Sequence, residues 1–246
     1  MSFLSYLRLL SCVKIVLLLT LILAQVVSRH AAADDSITIV GEPFPPLQFK
    51  EGSDFVGQSI DIVKKLLAQT GVQGEIELYP WARAFHMAQT KKNVLLISVA
   101  RNQAREKKFK WVGEISNSKS FFWTLKSNPE TVNVSTYDEL KHFKIVTQRY
   151  DHLHDYLLAN GFDREIPLTA VTNKSQAIKM LYAGRVDYIL GSEIYLKNRI
   201  SQLGLDPTLI TPVLPVNAKK SGLYLAFSPQ TSDALVERFQ LAFKSL

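Results

Sequence analysis

Ile37-Thr38-Ile39-Val40-Gly41 opens the stretch that decides the fold, and Val94-Leu95-Leu96-Ile97-Ser98 closes it. Both are short apolar runs of the kind that make buried strands. Between them, Gln58–Thr70 carries Ile60, Ile62, Val63, Leu66 and Leu67, a spacing that lines one face of a helix. Glu75–Tyr79 reads as a second strand and Trp81–Thr90 as a second helix. The order β-α-β-α-β predicts a parallel sheet with helices packed on its faces.

The pattern restarts further along. Lys144–Thr147, Leu168–Val171 and Asp187–Leu190 read as strands, and Asp151–Ala159, Asn173–Gly184 and Ser192–Gln202 as helices. Asp151 and Asn173 suit helix N-caps, and Gly184 suits a C-cap. Each α/β unit has roughly 100 residues, an ordinary domain size. Between them lie Lys119–Leu125, rich in Phe and Trp, and the turn-forming stretch Lys126–Thr136. The first is expected to cross between the units, Ser221–Phe227 to cross back, and a final helix, Gln230–Leu246, to pack on the first unit. The expected architecture is a two-lobed α/β protein with two crossing strands as its hinge. Residues 34–121 plus 222–246 would form one lobe and 122–221 the other. In open α/β sheets, ligands bind beyond the carboxyl ends of the strands. Two facing lobes would share one cleft, and hinge closure would bury what binds there.

The first 33 residues read as a secretory signal. Arg8 and Lys14 precede an apolar run from Ile15 to Val27, broken only by Thr20 and Gln25, and Ala31 and Ala33 supply small side chains for cleavage before Asp34. The run is shorter than the roughly 20 residues of a membrane span. An uncleaved anchor is the alternative, and either way the folded part lies outside the cytoplasm, with the periplasm expected. Cys12, the single cysteine, precedes the apolar run and is badly placed for a lipoprotein site. The mature chain therefore has no thiol and depends on its core. Of the net charge of +7, three positive charges (Arg8, Lys14, Arg29) sit in the leader, leaving +4. The basic residues are dispersed and not interleaved with aromatics, which excludes a nucleic-acid groove.

Several segments taken in order carry a resemblance: Gly41-Glu42-Pro43-Phe44-Pro45-Pro46, Gly57-Gln58-Ser59-Ile60-Asp61-Ile62, Tyr79-Pro80-Trp81-Ala82-Arg83-Ala84, Ala100-Arg101-Asn102-Gln103-Ala104-Arg105-Glu106 and Ala183-Gly184-Arg185-Val186-Asp187-Tyr188. In these the chain resembles the extracellular solute-binding proteins of family 3, the polar-amino-acid type of ABC-transporter receptor. Its Pro-Trp-x-Arg-Ala segment is similar to that of a periplasmic subgroup. The resemblance covers nearly all of residues 36–245. It implies a type II periplasmic binding protein fold, a small polar ligand and no cofactor. The partner would be an ABC permease or a membrane sensor, and the protein is expected to be a monomer.

The resemblance also implies that Glu42–Phe44 lines the pocket and that Arg105 holds a ligand carboxylate. Arginine offers a planar fork that meets a carboxylate bidentately and keeps its charge. Pairing of Arg105 with Glu106 or another surface acid is the alternative. Trp81 and Phe44 are candidate aromatic walls or core fillers, and Arg83 or Arg101 a candidate second cation. Trp81 and Arg83 would point about 200° apart on a helix. They would share the cleft only if Trp81 precedes the helix start, which Pro80 favours. Departures from the family pattern weaken the case for an α-amino acid. Arg149-Tyr150-Asp151-His152 stands where a Gly-Thr-Thr-like turn is expected, Ser192 with Glu193 where an acid should meet the ammonium, and Ala100-Arg101 where a hydroxyl residue should be. The expected ligand is anionic or zwitterionic and amino-acid-like, with Glu42, Tyr150 and Glu193 as candidates for its donor-bearing part and Ser192 beside them.

Two other chemistries were weighed against binding. Asp151-His152-Leu153-His154-Asp155 contains zinc-ligand types. His152 and His154 are two apart, which sends them to opposite sides of a helix, and Asp151 is accounted for as an N-cap, so no metal is expected. A dehydratase-like enzyme would use Glu193 as general acid if burial raised its pKa. No Gly-x-Ser-x-Gly or His-Glu-x-x-His motif and no mature cysteine is present, so no enzyme is expected. The leader generates a direct expectation: N-terminal sequencing of the native protein returns Asp34, and a retained Met1 or Ser2 in the membrane fraction would contradict it.

Overall fold

The computed structural model describes residues 36–117, 119–163, 165–217 and 222–246, so the leader expected at residues 1–33 lies outside the described residues. β1 (Ile37–Gly41) leads through a loop to a short hairpin, β2 (Phe49–Glu51) and β3 (Asp54–Val56). Then come α1 (Gln58–Thr70), β4 (Gly74–Leu78), α2 (Trp81–Thr90), β5 (Val94–Ala100) and β6 (Lys110–Asn117). The middle of the chain holds β7 (Ser120–Leu125), two short helices α3 (Pro129–Val132) and α4 (Tyr137–Leu140), and β8 (Ile145–Gln148). It continues with α5 (His152–Ala159), β9 (Thr169–Val171), α6 (Lys174–Tyr182), β10 (Tyr188–Ser192), α7 (Glu193–Gln202) and β11 (Ile210–Pro215). β12 (Gly222–Phe227) and α8 (Asp233–Lys244) complete it.

Two five-stranded sheets result, in the orders β4-β1-β5-β12-β6 and β11-β7-β10-β8-β9. β1 is parallel to β4 and β5, and β8 is parallel to β9 and β10. β12 and β7 are antiparallel members of the first and second sheet. The chain passes between sheets twice, from β6 to β7 and from β11 to β12. The strand expected to cross at 119–125 lies instead in the second sheet, where Ser120 pairs with Ser192 and Phe121 with Gly191. β12 pairs along its length within the first sheet. Pairing within one sheet gives the backbone groups of these strands ladder partners, which buried donors and acceptors require.

Alternation along the strands sorts the core. Ile37 and Ile39 of β1 face Ile60, Val63 and Leu66 of α1 and Phe239 of α8, whereas Val40 faces Trp81, Ala84 and Met87 of α2. Every residue of β5 is buried, as a central strand covered on both faces requires. In the second sheet, neighbouring Phe122 and Trp123 enter separate apolar clusters. Two glycines are sterically required. Gly57 (φ 111°) sits where a Cβ would meet the carbonyl oxygens of Leu47 and Pro46 at 2.4 and 2.6 Å. A Cβ on Gly113 of β6 would fall 2.2 Å from the Phe243 ring.

Phe239 is fully buried between α8, α1 and the first sheet, its ring edge-on to Phe227. Phe239→Ala should lower unfolding free energy by about 3–5 kcal/mol. Leu241→Ala, at a site that is 59% exposed, should change it by no more than about 0.5 kcal/mol. Urea denaturation of the two variants tests the contrast.

Candidate functional site

The loop after β1 is fixed from behind by a buried polar chain. Ser98 has φ 55° at a register shift between β5 and β12, and its Oγ donates to Gln48 Oε1 at 2.6 Å. Gln48 Nε2 donates to the Glu42 carbonyl at 3.3 Å, and the Ser59 hydroxyl lies 3.0 Å from that of Ser98. The Glu42 side chain reaches the second sheet, where its Oε2 accepts from Gln148 Nε2 at 3.1 Å. Burial pushes the Glu42 pKa up, and nearby Lys174 pulls against it.

Opposite stands a buried ion pair. Asp151 caps α5 through Leu153 N–H (3.2 Å) and accepts from His152 Nδ1 at 2.6 Å. Its second oxygen lies 2.7 Å from Lys174 Nζ, at the first residue of α6. Burial alone would raise the Asp151 pKa. Lys174, then His152, overcome it and hold the carboxyl well below the usual range. Burial likewise opposes the Lys174 charge, and Asp151, Tyr195 and Glu42 outweigh it, raising its pKa. The ammonium lies 5.2 Å from the Tyr195 ring centre and 5.9 Å from that of Phe44, and those rings are 4.2 Å apart.

Beside the pair, one carbonyl of the second lobe takes two donors from the first. Tyr150 adopts φ 64°, and its oxygen accepts from both Trp81 Nε1 and Arg105 Nη2, each at 2.8 Å. Arg105 also approaches Asp155 Oδ2 at 3.5 Å and lies 4.9 Å from the Phe85 ring centre. It is only 2% exposed, and burial lowers its pKa against the pull of Asp151 and Asp155.

A cavity of about 840 Å³ opens between the sheets. Glu42, Tyr79 and Trp81 line one side. Gln148, Lys174, Tyr195 and Arg199, with the rest of the segment 172–176 and Lys179, line the other. The volume suits a small ligand. Of the residues singled out in the sequence, Glu42 and Trp81 line this space, and Phe44 packs next to it on Tyr195. Tyr150 contributes its backbone, while its side chain is exposed. Arg105 is not among the lining residues.

The remaining candidates stand elsewhere. Arg83 is exposed and lies over the Tyr79 ring at 4.0 Å, because Pro80 is the N-cap and Trp81 the first helical residue, so the two side chains diverge. Arg101 pairs with Glu106 through Nε at 2.9 Å and lies over Trp111. Ser192 occupies the N-cap of α7 without a side-chain bond. Glu193 is exposed and bonds Lys197 at 2.5 Å, so the general-acid reading loses the burial it needed. Among the described residues, no group of three or more His, Cys, Asp or Glu is arranged to hold a metal. Lys174, Gln148, Tyr195 and Arg199 escaped the sequence reading. For Gln148 and Lys174 the signal was position, at or just past the carboxyl end of β8 and β9.

This arrangement, two α/β lobes with a polar cleft between them, can enclose a small molecule. A family model for bacterial extracellular solute-binding proteins, family 3, matches residues 37–246, and the chain belongs to that family. No relative is found among the curated protein sequences. The fold is that of the two-lobed periplasmic binding proteins. It is similar to an ancestral arginine-binding protein bound to arginine (TM-score 0.72, 19% identity, covering 86% of this chain and 92% of that one). It is similar to a histidine kinase sensor domain with similarity to periplasmic binding proteins (TM-score 0.74, 19% identity, 86% and 90%). It is also similar to the amino acid ABC transporter substrate-binding protein AbpA from Streptococcus pneumoniae, bound to L-arginine (TM-score 0.72, 18% identity, 88% and 91%).

The ion pair carries a pH prediction. Because the folded pKa of Asp151 is depressed, its contribution to stability is present above the unfolded value of about 3.9 and is lost as pH falls through the folded value. The raised pKa of Lys174 acts at the other end, its contribution fading only as pH rises above about 10.4. Side-chain exposure is 9% for Asp151 and 12% for Lys174. Lys174→Met should therefore cost about 3 kcal/mol at pH 7 by leaving a buried carboxylate short of its main partner. That cost should shrink below about pH 4. Denaturation curves at several pH values measure both.

Proposed function

We propose that this protein binds a small anionic or zwitterionic, amino-acid-like molecule in the cleft and closes around it. The observation that supports this reading is the placement of opposite charges across one cavity, with Glu42 on the first lobe and Lys174 and Arg199 on the second. A zwitterion carries a donor for the carboxylate and an acid for the cations. The relatives bound to arginine favour the same ligand class. Closure would bring the two sheets with their helices together over the ligand. The closed, monomeric, exported protein would then be read by a membrane partner, a permease for uptake or a receptor for sensing. Both kinds of relative occur among the similar structures.

Thermal-shift screening of residues 34–246 against amino acids and dicarboxylates tests the proposal. A true ligand at 100 times its Kd stabilises the folded form by about 2.7 kcal/mol and raises the melting temperature accordingly. The bound compound should be recovered unchanged after prolonged incubation. A folded protein whose melting temperature no member of the panel moves, or one that converts its ligand, would defeat the reading.

A further inference from the structure

We infer that the anion subsite of the cavity lies on the second lobe at Arg199, flanked by Lys179 and the first turn of α6, and that it selects a ligand with one amino group and two acid groups. The inference rests on the binding function proposed above and adds the ligand's charge and the residues that read it.

Arg105 is already engaged. Its Nη2 donates to the Tyr150 carbonyl at 2.8 Å and faces Asp155 Oδ2 at 3.5 Å. Its Nε has no acceptor but is sealed from solvent. A ligand carboxylate at Arg105 would have to displace both protein partners and part the lobes there.

Arg199 is in the opposite situation. It lines the cavity and is held by neutral groups, its Nε donating to Ser175 Oγ at 2.9 Å and its Nη1 to Gln202 Oε1 at 3.0 Å. Among the described residues no carboxylate is ion-paired with it. The guanidinium is oriented yet has no carboxylate in direct contact among the described residues, Glu42 acting on it only at longer range, the state that suits it to take an acid from outside. Lys179 lines the same side and is exposed. The segment 172–176 completes this wall. Asn173 Oδ1 accepts the Gln176 N–H, while the other first-turn N–H groups have no intrahelical acceptor, and the helix dipole favours an anion beside them.

Charge balance sets the ligand class. Lys174, Lys179, Arg199 and Glu42 are the charged lining residues, and Lys174 is paired with Asp151, which is also bonded to His152. One positive charge is left in excess among these lysine, arginine and carboxylate side chains. Glu42 is available to an ammonium on the first-lobe side, next to Gln148, whose buried Oε1 has no donor. An ammonium at Glu42 with two acid groups toward Arg199 and Lys179 neutralises the site. A ligand with a cationic side chain would add to the excess.

Calorimetric titration of the mature protein with L-glutamate, L-glutamine and L-arginine tests this. L-glutamate should bind at least about tenfold more tightly than L-glutamine, with L-arginine weakest. Arg199→Gln should weaken L-glutamate at least about tenfold and L-glutamine less than about threefold, removing the preference. Lys179→Glu, at an exposed position where folding is not at stake, should shift preference from L-glutamate toward L-arginine. L-arginine binding as tightly as L-glutamate, or full L-glutamate affinity in Arg199→Gln, overturns the subsite while leaving the binding function intact. Binding of none of the three overturns the subsite, whereas the binding function falls only if the wider panel also fails.

Discussion

The Tyr150 carbonyl takes two donors from the opposite lobe, Trp81 Nε1 and Arg105 Nη2, each at 2.8 Å. The rest of the cleft is organised around that oxygen. Its direction is set by the left-handed backbone of Tyr150 (φ 64°), a conformation uncommon for a bulky residue. The next residue, Asp151, then starts α5 and turns its carboxylate toward Lys174. One backbone conformation therefore governs both the contact between lobes and the charge that neutralises the lysine. Arg105 and Trp81 come to the same oxygen from different elements of the first lobe, so its position also fixes how the lobes meet in this state.

Around this join, the cleft separates compensated charge from uncompensated charge. Asp151 and Lys174 satisfy one another in a place too dry to leave either alone. Arg105 is matched by a carbonyl and a carboxylate. Arg199 is bonded to a serine and a glutamine, and Glu42 to a glutamine, so neither is in direct contact with an opposite charge. Neutral partners position a charged group without cancelling it, and this distinguishes a group built for recognition from one built for stability.

The sequence made the sheets legible and the cleft only partly so. The apolar runs at 37–41 and 94–98 and the helical stripe at 58–70 are strong local signals, and each became the expected element. β6 escaped because Lys110, Gly113 and Glu114 interrupt it. Gly113 makes sense only once the Phe243 ring is seen against it, a contact distant in sequence. Glu42 and Trp81 were readable from the pattern around β1 and α2. Arg105 stood out by type and position, yet its partners, Tyr150 and Asp155, lie 45 and 50 residues away and are set by how the lobes meet. Arg199 looks in sequence like any surface arginine on an amphipathic helix. Only the fold reveals that α7 brings it to the cavity and that, among the described residues, no acid is ion-paired with it.

β11 is the outer strand of the second sheet and contains Pro212 and Pro215. Proline has no N–H to offer a neighbouring strand. An edge with two such gaps is a poor template for a foreign strand, so the second lobe resists edge-to-edge association in concentrated solution. Residues 36–246 contain no cysteine, so no disulfide within them can restrain a lobe. Two prolines that do not line the cavity thus guard an outer edge of the sheet.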